Sequence, residues 1–208
     1  MENFLNKYNV SRETFDKLKT YEATLREWQN KFNLVSNKSL EDAWNRHFWD
    51  SVQLIKYIPE KAKILYDFGS GAGFPGMVLA ILAAEKMPNL QVFLIESIRK
   101  KTLYLNAVKE KCGGNVTVIN DRIENIKPTK ADVITSRAMC QLTNLLKYAY
   151  PFSFCETIMI FPKGKTFQTE IDEARKHWSF ECQIVTNKVN AEGVILIISK
   201  LLPRKGVK

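Results

Sequence analysis

The run Tyr66-Asp67-Phe68-Gly69-Ser70-Gly71-Ala72-Gly73-Phe74-Pro75-Gly76 decides the fold of this chain. An apolar stretch, Ile64 to Phe68, leads into it, and a helical pattern from about Pro75 to Lys86 leaves it. The glycines therefore occupy a strand-to-helix turn, where they permit left-handed backbone and let the main chain approach a ligand with no Cβ in the way. Pro75 suits the first turn of the helix. Working outward, apolar runs at Gln91 to Ile95, Val116 to Ile119, Ala131 to Thr135 and Thr157 to Phe161 are predicted strands. Predicted helices at Ser97 to Lys111 and Leu142 to Tyr150 fall between them. This alternation predicts a parallel sheet covered by helices on both faces, with its ligand site beyond the carboxyl ends of the strands. Two later runs, Cys182 to Val189 and Val194 to Ser199, flank Ala191-Glu192-Gly193 and are expected to form an antiparallel hairpin.

Two readings of the glycine turn compete. Gly71, Gly73 and Gly76 satisfy the spacing of a dinucleotide-binding turn, a weak signal alone. The longer string fits Asp-x-Gly-x-Gly-x-Gly, a methyltransferase motif with an acid two residues before the first glycine. Asp67 would repel a pyrophosphate and attract the ammonium of S-adenosylmethionine. Glu96, at the end of the second strand, is placed to take the ribose hydroxyls of either cofactor. A parallel sheet closed by an antiparallel hairpin resembles the class I methyltransferase sheet, an α/β Rossmann-like arrangement.

Ahead of the sheet lie two helical patterns. Ser11 is an expected N-cap for a helix whose Phe15, Leu18, Tyr21, Leu25 and Trp28 form one stripe. Ser39 is the expected start of a second, with Asp42 in a capping-box position and Trp44, Phe48, Val52 and Ile55 on one face, ending before Pro59. Trp28 and Trp44 read as core. Residues 1–60 are thus expected to be a helical extension packed on a catalytic domain at 61–208.

Composition narrows the chemistry. No apolar run approaches the roughly 20 residues that span a bilayer, and Met1 to Val10 lacks a signal-peptide pattern, so a cytoplasmic protein is expected. Cys112, Cys140, Cys155 and Cys182 form no CxxC pair, and with only His47 and His177 beside them no metal site is expected. The net charge of +9 is carried entirely by residues 61–208, since residues 1–60 balance nine basic against nine acidic side chains. Such a surface attracts a polyanion, although a basic solvated surface would have the same composition.

The residues resemble one family in particular, the RsmG (GidB) 16S ribosomal RNA guanine-N7 methyltransferases. The resemblance runs from about Trp28 to Lys200 and rests on Arg46-His47-x-x-Asp50-Ser51, the glycine turn with Pro75-Gly76, Glu96-Ser97 with Lys100-Lys101, Asp121-Arg122-Ile123-Glu124, Ser136-Arg137-Ala138 and Lys163-Gly164. It implies S-adenosylmethionine as cofactor, 16S rRNA in the small ribosomal subunit as partner, and no membrane. It would set the cofactor against Gly69 and Phe74, with Glu96 on the ribose side, the backbone of Ile123 and Glu124 near the adenine, and Arg137 close to the same pocket; Asp67, Gly71 and Gly73 are expected cofactor residues from the reading of the glycine turn itself. Many members carry an Arg in the final hairpin where this chain reads Ala191-Glu192-Gly193, so that residue has no counterpart there.

Guanine N7 has an in-plane lone pair and no proton near neutrality, so no general base is required and none is assigned. Arg46, His47 and Asp50, with Ser51, are expected either to line the acceptor side or to pin the N-terminal helices through a polar network; helical spacing puts Arg46 near Asp50. Arg99, Lys100 and Lys101 are candidate RNA contacts or a solvated helical face, and Lys163 is a candidate phosphate contact. A methyltransferase for a small molecule or protein, a nucleotide-dependent oxidoreductase and a non-catalytic RNA-binding module are the competing classes.

Overall fold

The computed structural model describes residues 10–204; residues 1–9 and 205–208, which include most of the N-terminal stretch read for a signal peptide, lie outside the described residues. One seven-stranded sheet organises the chain: β1 (Ile64–Phe68), β2 (Gln91–Ile95), β3 (Val116–Ile119), β4 (Val133–Ser136), β5 (Ile158–Lys163), β6 (Trp178–Thr186) and β7 (Val194–Pro203). The strand order is β3-β2-β1-β4-β5-β7-β6. The first five strands pair in parallel, whereas β7 runs antiparallel to both β5 and β6. The chain order reverses at β1, which puts the glycine turn at the switch point where doubly wound sheets open a crevice.

Side-chain alternation splits the core into two layers. Leu65, Val92 and Leu94 face one side with α1 (Arg12–Gln29), α2 (Gly76–Lys86) and α3 (Arg99–Cys112). Tyr66, Phe68 and Ile95 face the other with α4 (Leu142–Ala149) and α5 (Phe167–His177). Every residue of α2 from Gly76 to Ala83 is buried. A helix that is apolar all round needs cover on its outer side, and the stripe of α1, led by Leu18, Tyr21 and Leu25, supplies it in the same core. Ser11 caps α1 as expected, its hydroxyl accepting from the Thr14 amide.

Several boundaries differ from expectation. Ser36, not Ser39, caps the second helical segment; Ser39 spends its hydroxyl on the Ser36 carbonyl. That segment is also not one helix but a short α-helix at Asn37–Glu41, a π-helical turn at Trp44–Trp49, a single α turn at Asp50–Val52 and a 3₁₀ turn at Ile55–Tyr57. Pro75 stands at the N-cap of α2 rather than inside it. The first hairpin strand is shifted toward the N-terminus of its predicted run, and the second begins at Val194 as predicted but runs on to Pro203; α5 had no predicted counterpart, although Phe167, Ile171 and Ala174 carry its spacing.

The Tyr21 hydroxyl, fully buried, donates to the Ala72 carbonyl at 2.5 Å, and Tyr104 approaches the same carbonyl at 3.4 Å. Tyr21→Phe leaves that buried acceptor only the longer contact, and urea unfolding should show a loss of about 1–2 kcal/mol. An unchanged midpoint would contradict this role for the hydroxyl.

Candidate functional site

The turn after β1 is held at several points. Ser70 donates its amide to the Ile95 carbonyl (3.0 Å) and its hydroxyl to the Asp67 carbonyl (2.9 Å), while the Gly73 amide closes onto the Ser70 carbonyl (2.7 Å). Gly71 has φ +56°, and a Cβ there would stand in open space with only the Gly69 carbonyl oxygen near, at 3.8 Å. A side chain would therefore project into the crevice itself. At Gly73 a Cβ would collide with the Tyr21 hydroxyl, so that glycine is required by the helix beneath it.

Glu96, almost wholly buried, binds both sides of the crevice. Its Oε2 accepts from the Gly71 amide at 2.9 Å and its Oε1 from the Ile98 amide at 2.8 Å. Each oxygen keeps a further lone pair, which fits a cofactor that offers vicinal hydroxyls. Ile123, buried, and Glu124, exposed, lie on a 3₁₀ turn beyond β3. Open space over Gly71, a carboxylate with spare acceptor capacity and a flanking apolar residue are what S-adenosylmethionine needs from a cradle.

Two residues assigned to the cofactor sit differently. Asp67 does not reach the surface of the turn: it is fully buried beneath it, Oδ1 accepts from the Thr135 hydroxyl at 2.8 Å, and Oδ2 has no partner among the described residues. Desolvation raises its carboxyl from 3.8 to about 6. The Phe74 ring is likewise buried, stacked on Tyr21 (5.2 Å) and on His47 (4.9 Å), so it is a packing centre, not a lining side chain.

Arg137, directly after β4, is the hub of the other side. It donates to the Arg46 carbonyl (3.0 Å), to Asp50 Oδ2 (3.1 Å) and to His47 Nδ1 (2.9 Å), and its guanidinium lies over the Phe74 ring. Arginine only donates, so His47 Nδ1 accepts and the proton resides on Nε2. Burial, then the Arg137 and Arg46 charges, push the imidazole down to about 3, which keeps it neutral near pH 7. The expected Arg46–Asp50 pair does not form among the described residues; Asp50 pairs with Arg137 instead. The π-helical turn explains the change, because its wider winding takes residues four apart out of vertical alignment.

Asp50 Oδ1 carries the network onward, accepting from Gln53 (3.2 Å) and Asn187 (2.7 Å). Gln53 donates in turn to Asn187 Oδ1 and accepts from the Lys188 amide. This ties the 44–53 segment to the β6–β7 loop. Nothing in the sequence singles out Gln53 or Asn187, which lie 134 positions apart.

Between Arg137 and Lys163 a cleft of about 370 Å³ opens at the carboxyl ends of β4 and β5. Lys163 does not present a free ammonium for phosphate: it binds Glu170 Oε2 (2.7 Å) and the Cys140 carbonyl (3.0 Å). Arg99 and Lys100 are exposed and Lys101 half-buried at the start of α3, with Lys100 over the Phe32 ring.

Comparison with known proteins adds a family to this geometry. The family model described as "GidB: rRNA small subunit methyltransferase G" matches residues 14–195. A protein of Ruegeria pomeroyi named ribosomal RNA small subunit methyltransferase G is 40% identical over 194 residues, covering 93% of this chain and 95% of that protein. One of the same name from Parvibaculum lavamentivorans is 42% identical over 202 residues, covering 96% and 89%. Among solved structures, a SAM-dependent methyltransferase from Aquifex aeolicus superposes with a TM-score of 0.58 at 15% identity, over 78% of this chain and 95% of that one, a likeness of fold.

The buried Asp67 makes a prediction about stability. Its folded pKa, about 6, lies above the ordinary 3.8, so the fold favours the protonated form. That contribution is complete below about pH 4 and is lost as pH rises through 6. Asp67→Asn lacks it, so between pH 4 and 8 urea unfolding should show wild type losing about 2 kcal/mol or somewhat more relative to the variant. Parallel pH profiles would contradict the assignment.

Proposed function

This chain belongs to the rRNA small subunit methyltransferase G (GidB) family, and from that membership we propose that it transfers the methyl group of S-adenosylmethionine to N7 of a guanine in the 16S rRNA of the small ribosomal subunit. The observation that carries the proposal beyond the family is the adjacency of two features: a braced glycine turn with open space over Gly71, and a polar cleft beside Arg137 at the next strand ends. The first suits the cofactor and the second a nucleobase.

When bound, S-adenosylmethionine supplies a methyl already activated by its sulfonium, so the N7–carbon bond forms as the carbon–sulfur bond breaks and no proton moves. The residues' task is then to hold the two partners in line. Glu96 fixes the Gly71 and Ile98 backbone on the cofactor side. Asp50 and Phe74 fix Arg137 on the acceptor side. His47, held neutral, is no acid–base pair with Asp50, which accords with an acceptor that carries no proton. Methylation makes the purine cationic, and Asp50 and Glu170, both lining the cleft, favour that charge.

The basic face at Arg99, Lys100 and Lys101 is assigned to the RNA backbone, and action on ribosomal RNA implies work in the cytoplasm without a membrane or metal partner. No helix among the described residues is long and apolar enough to cross a membrane.

The function is tested by transfer of labelled methyl groups to small subunits from cells lacking this enzyme. Nucleoside digestion should yield 7-methylguanosine and no other labelled nucleoside; label elsewhere, or none, overturns the proposal. Neutralising Arg99, Lys100 and Lys101 together should weaken binding to small subunits and flatten its log–log salt dependence by about 0.7–0.9 for each phosphate that a side chain had neutralised, with cofactor affinity unchanged. Parallel salt slopes at equal affinity would make these charges a solvated face.

A further inference from the structure

Two carboxylates line the cleft beyond Arg137, and their hydrogen bonds set them apart. Asp50 is engaged on both oxygens: Oδ1 accepts from Gln53 and Asn187, and Oδ2 is held in an ion pair by Arg137. Glu170 is engaged on one oxygen only. Its Oε2 accepts from Lys163 Nζ at 2.7 Å and from the Leu142 amide at 2.9 Å, whereas Oε1 has the Thr166 hydroxyl at 3.4 Å, too long for a strong bond. Lys163 Nζ has three N–H donors and directs two of them to Glu170 and to the Cys140 carbonyl. The cleft thus presents, side by side, an acceptor and a donor with capacity to spare. Both are held by an ion pair whose side chains are only 17% and 10% exposed, so neither swings freely in search of a partner.

That pairing has a direction. The Watson–Crick edge of guanine offers an acceptor, O6, beside a donor, N1–H, with the N2 amine beyond. Adenine offers the reverse, an amine beside a bare ring nitrogen. Glu170 Oε1 beside Lys163 Nζ complements the first and opposes the second, since adenine would set N–H against ammonium and a lone pair against carboxylate. N7 lies on a different edge of the purine, so a base gripped in this way keeps N7 free.

We propose that Glu170, braced by Lys163, determines base specificity: Oε1 accepts from guanine N1–H and N2–H, and the third Lys163 N–H donates to O6. The proposal rests on the N7 methyltransferase reading above and names how the acceptor base is chosen. It also gives Lys163 a use that its pairing permits, in place of a phosphate contact.

The test compares small subunits reconstituted with guanosine or with 2,6-diaminopurine riboside at the acceptor position. Diaminopurine keeps N7 and the N2 amine but replaces O6 by an amine and N1–H by a bare nitrogen. Single-turnover methyl transfer by wild type should favour guanosine by about 100-fold or more, as expected of a site built to hydrogen-bond its substrate. Glu170→Gln has the same shape and an amide that both donates and accepts, and should narrow that ratio at least about tenfold, equivalent to removing one discriminating hydrogen bond. If Glu170 only holds Lys163 and the start of α4, both substrates slow alike and the ratio stays at its wild-type value, which overturns the proposal. Lys163→Met, which removes the O6 donor, should narrow the ratio too and carries the same test should Glu170→Gln fail to fold; cofactor affinity by calorimetry reports folding of each variant. Failure of wild type to methylate guanosine N7 at all would overturn the function on which the proposal rests. Normal N7 transfer with an unchanged ratio in both variants overturns the role of Glu170 alone.

Discussion

A single hydrogen bond under the glycine turn, from the Tyr21 hydroxyl to the Ala72 carbonyl, sets the height at which the crevice floor stands above the sheet. Tyr21 comes from α1, early in the chain, and the turn from the end of β1, so the bond couples the outer helical layer to the switch point of the sheet. Gly73 has no room for a Cβ because that hydroxyl is there. The Tyr21 ring stacks on Phe74, and Phe74 in turn carries His47 and Arg137.

Charge is handled by the same economy of placement. Arg137 would be a costly partly buried cation without compensation, and it receives a carboxylate, a backbone carbonyl, an imidazole nitrogen and an aromatic face. Holding His47 neutral follows from this, because a proton on Nδ1 would face the guanidinium. Glu96 solves the complementary problem by giving its charge to two backbone amides across the crevice. Asp67 is the exception, a fully buried carboxylate with one oxygen unpartnered among the described residues, and its raised pKa records the cost.

How much of this could be read beforehand depended on whether the signal was local. β1, β2 and β3 begin and end where their apolar runs do: β1 is buried almost throughout, as a central parallel strand is, and β3, at the sheet edge with only Val116 buried, still carries an unbroken run of strand-forming residues. The glycine turn and Glu96 were legible because backbone geometry demands particular residue types there. The Arg46, His47 and Asp50 cluster was legible as a cluster but not in its pairing, because a π turn interrupts the regular spacing and the ion partner, Arg137, comes from another element. Asn187 and Gln53 carry no periodic or motif signal, and their importance exists only once the β6–β7 loop folds back on the N-terminal segment. Glu170 was missed with its helix: α5 follows a strand closely, and its charged residues hid a three- and four-residue apolar spacing.

The proposed function makes the glycine turn a cofactor floor braced from below, and amide hydrogen exchange with and without S-adenosylmethionine tests that most directly. Saturating cofactor should slow exchange at least about tenfold at residues 69–73 and 96–98, where the crevice is lined by backbone amides, and leave the β6–β7 strands unchanged. Protection confined to the hairpin, or absent from the turn at saturation, would contradict it.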